Sequence, residues 1–91
     1  MRIARRYVIV GRVQGVGFRY FTEDVALREG VSGYVRNLDD GRVEALVEGE
    51  VEALGRIEAA LWQGPRGAQV EDIEIEQTAP SGRFTGFRIR A

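Results

Sequence analysis

The run Gly11-Arg12-Val13-Gln14-Gly15-Val16-Gly17-Phe18-Arg19-Tyr20-Phe21 decides how the chain is read. Before it, Tyr7 to Val10 is apolar and β-branched, the pattern of a buried strand. After it, Tyr20 to Glu29 has helix-compatible spacing with neither Gly nor Pro. Between the two, Gly15 and Gly17 let the backbone take positive φ or approach a ligand closely. A strand, a short glycine turn and a helix start make a concavity into which the turn's N–H groups and the first unpaired N–H groups of the helix can point. Arg19, at the mouth of that helix, adds a permanently charged fork suited to phosphate oxygens. The stretch therefore reads as an anion cradle, with phosphate the first ligand to consider. The plainer reading is an ordinary strand-to-helix turn with Arg19 solvated, although arginine opposes the helix macrodipole there unless an anion is near. The glycines match neither the dinucleotide fingerprint nor the nucleotide P-loop, which needs a lysine this chain lacks. On the residues alone both readings stand.

Working outward, the first strand is expected from about Ile3 to Val13 and the first helix from about Tyr20 to Glu29. Phe18, Phe21, Thr22, Val25, Ala26 and Leu27 supply the helix's buried side, and Thr22, Glu23 and Asp24 suit its first turn. Gly30 fits a left-handed C-terminal cap, followed by apolar Val31. Ser32 to Leu38 reads as a second strand, with Tyr34, Arg36 and Leu38 on one face and Val35 and Asn37 on the other. Asp39-Asp40-Gly41 is a hairpin signal. A third strand runs Arg42 to Glu48, with Val43, Ala45 and Val47 alternating against Glu44, Leu46 and Glu48, and Gly49 ends it. A second helix from about Glu50 to Gln63 repeats Val51, Leu54, Ile57 (or Glu58) and Leu61, and Gly64-Pro65 stops it. Residues 64–68 form a loop. Val70, Ile73 and Ile75 mark a fourth strand whose change of phase predicts a bulge. Ala79-Pro80-Ser81-Gly82 is a turn, and Phe87 and Ile89 alternate with Arg88 and Arg90 in a short last strand.

This order, β-α-β-β-α-β plus a C-terminal strand, predicts an α+β domain of the split βαβ, ferredoxin-like type. Two helices then cover one face of a mostly antiparallel sheet, with strands one and three adjacent and parallel and strand two beside strand three. Residues 1–91 are expected to form a single domain, without repeat, linker or low-complexity segment.

Composition narrows the chemistry. The chain has no cysteine and no histidine, which removes disulfides, thiol nucleophiles, imidazole acid–base catalysis and nearly all zinc, copper or iron–sulfur sites. An enzyme built from it works with arginine, carboxylates, amides, hydroxyls and backbone N–H groups, a set suited to positioning and charge stabilisation. All 13 basic residues are arginine. Residues 1–42 carry a net +3 and residues 43–91 a net −4, so the basic N-terminal half suits an anionic ligand while the overall −1 argues against general nucleic-acid binding. No run approaches the ~20 apolar residues that span a bilayer. Met1 to Arg6 lacks the apolar region of a secretory signal. A cytoplasmic location, away from membranes, is expected.

Asn37, the one asparagine, precedes the Asp39-Asp40-Gly41 turn. Strands one and two bring it and the glycine turn to one end of the sheet. It reads either as a turn-initiating residue or as a free amide beside the cradle.

The run Gly11 to Arg19 resembles the first signature of the acylphosphatases. Gly33-Tyr34-Val35-Arg36-Asn37-x-x-x-Gly41-x-Val43, ending at Gly49, resembles their second. Gln63-Gly64-Pro65 and Phe87-Arg88-Ile89 are also similar, so the resemblance covers nearly the whole chain; Arg66-Gly67 departs from the small or apolar residues more usual there. The resemblance implies a ferredoxin-like fold and hydrolysis of the carboxyl–phosphate anhydride of an acyl phosphate, without metal or cofactor, by a monomer. It implies that Gln14, Gly15, Val16, Gly17 and Phe18 hold the phosphate through backbone N–H groups, that Arg19 binds the phosphate, and that Asn37 positions the attacking water. Inorganic phosphate is then both product and inhibitor.

Two other functions compete. The same fold hosts RNA-recognition modules, but only Tyr7 and Tyr34 offer stacking rings and the aromatic-rich central strand is absent. A non-catalytic anion-binding or regulatory domain, like the acylphosphatase-like domains of larger maturation proteins, is disfavoured by the length of 91 residues.

Overall fold

The computed structural model describes residues Met1–Ala91. Its elements are β1 (Arg2–Arg12), α1 (Phe18–Glu29), β2 (Ser32–Asn37), β3 (Val43–Glu50), α2 (Val51–Gln63), β4 (Gln69–Thr78) and β5 (Phe87–Arg90). The five strands form one sheet in the order β4-β1-β3-β2-β5. No helix is long and apolar enough to cross a membrane.

Strands one and three are neighbours, as expected, but they run antiparallel, not parallel. The reason is the split. The crossover through α1 returns β2 parallel to β1 but one position away, and the hairpin from β2 drops β3 into the gap, opposed to both. β5 then adds to the free edge of β2 in parallel register, with Gly33 opposite Phe87 and Val35 opposite Ile89.

Alternation sets the two faces. Ile3, Tyr7 and Ile9 of β1, Val43, Ala45 and Val47 of β3, Val35 of β2 and Ile73 of β4 share one core with Phe18, Val25 and Ala26 of α1 and Ala53, Leu54, Ile57 and Leu61 of α2. The opposite face of the sheet carries no helix. The bulge expected in the fourth strand is present: Val10 pairs with Asp72 but Gly11 pairs with Val70, which leaves Glu71 as the extra residue.

Several boundaries shift for physical reasons. α1 begins at Phe18 rather than Tyr20, because Gly17 takes a left-handed conformation (φ 78°, ψ 22°) and acts as its N-cap. Glu23 and Asp24 consequently fall in the second turn, and no acid occupies the first. Leu27 is 59% exposed and outside the buried stripe, while Gly30 caps the helix in the expected left-handed conformation. β1 ends at Arg12 and β2 at Asn37. β3 starts at Val43 and continues through Gly49 to Glu50, where α2 starts at once and the Val51 N–H donates to the Met1 carbonyl at 3.0 Å.

Candidate active site

The glycine turn and the β2–β3 hairpin meet at the end of the sheet where β1 and β2 both finish. Gln14 makes the junction: its side-chain amide donates to the Leu38 carbonyl at 2.8 Å and to the Arg42 carbonyl at 3.0 Å. The hairpin closes through the Leu38 N–H on the Arg42 carbonyl at 2.8 Å. The Asp40 carboxylate accepts from the Arg42 N–H at 3.1 Å and the Arg42 Nε at 2.9 Å. These bonds from Arg42 hold the Asp40 carboxyl below its ordinary value. Asp40, not Asn37, therefore satisfies the turn. The half-buried Asn37 side chain makes no hydrogen bond within the protein, so its amide is left for something else.

Between these segments lies a cavity of about 100 Å³. Gln14, Gly15, Gly17, Phe18, Arg19 and Asn37 line it together with Val13 and Tyr20. Of the residues singled out in the sequence, only Val16 is not in the wall; its side chain packs on the core. Tyr20, 69% exposed at the rim, was not singled out.

The walls are rich in free donors. Gly15 and Gly17 have φ of 76° and 78°, a region that side chains rarely adopt, and this turns successive N–H groups outward. The N–H groups of Gln14, Gly15, Val16, Gly17, Phe18, Arg19 and Tyr20 find no acceptor in the protein; the first helical bond runs from the Phe21 N–H to the Gly17 carbonyl at 3.0 Å. The Arg19 guanidinium, in the first turn, has no carboxylate partner. A helix N-terminus without an acid, a row of free amides and an unpaired guanidinium all favour negative charge at one place. No group of three or more His, Cys, Asp or Glu side chains is placed to share a metal ion.

The alternative of paired stacking rings fails on geometry. Tyr7 lies opposite Ala45 and Tyr34 opposite Leu46, so the two rings are on opposite faces of the sheet. Tyr7 is wholly buried, donates to Glu58 at 3.3 Å, and has its hydroxyl pushed up to about 12 by burial.

Reading by alternation placed Glu44 and Glu48 away from the core without showing that they are buried, at 3% and 2% exposure. Glu44 accepts from Arg6 and Arg36, each at 2.6 Å, and from the Tyr34 hydroxyl at 3.2 Å. Glu48 accepts from the Ser81 N–H at 3.0 Å, the Ser81 hydroxyl at 2.7 Å and the Gly82 N–H at 3.0 Å. Burial pushes both carboxyls up, but the hydrogen bonds outweigh it and both lie below the ordinary value.

The family model described as Acylphosphatase matches residues 5–89. The acylphosphatase of Pasteurella multocida is 46% identical over 88 residues, covering 97% of this chain and 98% of that protein. The acylphosphatase of Anaeromyxobacter dehalogenans is 48% identical over 89 residues, covering 98% and 96%. The crystal structure of the Bacillus subtilis acylphosphatase superposes with a TM-score of 0.95 at 38% identity, covering 98% of this chain and 99% of that one. The ferredoxin-like fold and the sequence agree over nearly the whole length: the chain belongs to the acylphosphatase family of hydrolases.

Proposed function

We propose that the cradle binds the phosphate of an acyl phosphate and that Asn37 aligns a water for in-line attack on phosphorus. The observation that carries this is that one cavity is lined by residues whose N–H groups have no acceptor in the protein (Gln14, Gly15, Gly17, Phe18, Arg19 and Tyr20), by the unpaired Arg19 and by the unbonded Asn37 amide. The water oxygen forms a bond to phosphorus while the bond from phosphorus to the acyl oxygen breaks. Its electron pair leaves with the carboxylate, and the water's proton passes to a phosphate oxygen. The products are a carboxylate and inorganic phosphate. A carboxylate is a good leaving group, so no covalent intermediate is needed, and positioning together with charge stabilisation supplies the acceleration. A substrate oxygen as proton acceptor suits a chain without histidine.

The same reading takes the protein to work without metal or cofactor, to recognise only the phosphate and its anhydride, and to act as a single cytoplasmic domain and monomer. Hydrolysis of benzoyl phosphate in excess chelator tests it. Turnover at full rate, inhibited competitively by inorganic phosphate, is expected. Phosphate binding without turnover identifies a non-catalytic anion-binding domain instead, and loss on chelation with recovery on adding a divalent ion contradicts the mechanism.

A further inference from the structure

The open face of the sheet beside β5 holds a second concentration of positive charge. Two adjoining depressions there, of about 290 and 410 Å³, share Arg83, Phe84 and Arg90. Arg88 lines the first, and Tyr34 and Leu46 line the second. No carboxylate lines either one. Arg5, Arg6, Arg28, Arg36, Arg42 and Arg56 all pair with acids. Arg83, Arg88 and Arg90 pair with none, although acids outnumber bases 14 to 13 in the chain. The remaining unpaired arginines do not share a depression in this way.

These side chains stand on a built support. The buried Glu48 carboxylate holds Ser81 and Gly82 by three hydrogen bonds, and the Gly33 N–H donates to the Gly86 carbonyl at 3.0 Å. The Arg90 guanidinium carbon sits 4.1 Å from the Tyr34 ring centroid and 5.9 Å from that of Phe84. Cation–π contact fixes that charge without neutralising it. The neighbouring acids are already engaged, Glu44 by Arg6, Arg36 and Tyr34 and Glu48 by Ser81 and Gly82. Like charges gathered on a fixed support, with no carboxylate paired to any of them, favour an anion from outside. Guanidinium forks match phosphate oxygens, and the apolar surface of Phe84 and Leu46 beside them matches a flat, weakly polar group.

We propose that these depressions bind a nucleoside phosphate, with its phosphates on Arg83, Arg88 and Arg90 and its base against Phe84 and Leu46. The site is separate from the cradle: Gly33 at its edge lies four residues before Asn37 along β2, about 13 Å away. The test titrates ATP and tripolyphosphate by calorimetry into the full chain carrying Arg19→Ala, which weakens anion binding at the cradle. One ATP per chain is expected, bound more tightly than tripolyphosphate. Adding Arg83→Ala and Arg88→Ala should weaken ATP by at least about tenfold, since each substitution removes a charged donor from the phosphates. Both arginines are exposed, so the substitutions leave the core untouched. Absence of ATP binding, or binding indifferent to the two substitutions, overturns the site. Tripolyphosphate binding as tightly as ATP overturns the assignment of a nucleoside.

Discussion

Two places in this small molecule use the same device with opposite endings. Around Glu48, the N–H groups of Ser81 and Gly82 and the Ser81 hydroxyl converge on an anion that the chain itself supplies. Around the Gly15–Gly17 turn, the N–H groups of Gln14 to Tyr20 have no acceptor in the protein, and all of these residues but Val16 line, with Arg19 among them, a cavity with no acid in its wall. Elsewhere the molecule is economical: no buried side-chain nitrogen or oxygen lacks a hydrogen-bond partner. The donor set at residues 81–82 is therefore structural, since it is saturated, whereas the one at residues 14–20 is unspent within the protein.

The largest expected effects come from removing the two side chains that face the open cradle. Loss of one charge-stabilising donor commonly lowers a rate by ~10²–10³. Arg19→Ala should lower turnover by at least that much and weaken inhibition by inorganic phosphate, because in the proposed mechanism the guanidinium serves phosphate in substrate, transition state and product alike. Asn37→Ala should lower kcat by a similar factor with phosphate affinity close to that of the parent, because in the proposed mechanism its partner is the attacking water. If Asn37→Ala weakens phosphate as fully as Arg19→Ala does, or keeps its turnover, the division of roles is wrong.

Gly15→Val acts on the backbone of the same cradle. At φ 76° a β-branched residue is strained, although its Cβ meets no atom within 4 Å. Strain of ~1–3 kcal/mol should appear as reduced thermal stability, and relief of the strain turns the N–H row away from the cavity. Phosphate inhibition should disappear in a chain that remains folded. Unaltered activity in the folded variant would remove the glycine turn from the site.

The saturated side should behave in the opposite way. Glu48→Gln should reduce stability by ~1–3 kcal/mol and leave turnover of benzoyl phosphate near that of the parent. The sign of the pH dependence follows from the shifts. Glu44 and Glu48 titrate in the folded chain below their ordinary value of 4.5, so the stability they contribute is complete above that pH and is lost as pH falls through the lower folded values. Acid unfolding should therefore become shallower below pH 4.5 in Glu48→Gln, and an unchanged profile would show that the bonds to residues 81–82 contribute little.

What could be read in advance follows the range of each interaction. The glycine turn, the Asp39-Asp40-Gly41 hairpin, the Gly64-Pro65 stop and the β4 bulge are local signals, and all were legible. The start of α1 was placed two residues late because Gly17 caps it with backbone alone, with no side-chain hydrogen bond to announce it. The direction of β3 against β1 depends on where the α1 crossover returns, which no local pattern carries. That Arg19 and Asn37 lie together beside the glycine turn was legible through their motifs. Which of its two readings holds for Asn37, turn residue or free amide, was left open, because it depends on Asp40 taking the turn and on Gln14 clasping a hairpin 24 and 28 residues away. The burial of Glu44 and Glu48 was hidden for the same reason: their partners lie on β1, β2 and the loop at residues 81–82.

The most direct test of the contrast is an amide-resolved NMR titration with inorganic phosphate. Saturable shifts concentrated in the N–H resonances of Gln14 to Tyr20, and strongly weakened by Arg19→Ala, are the predicted result. A titration in which phosphate binds while those resonances stay in place would contradict the claim that this turn is the phosphate cradle.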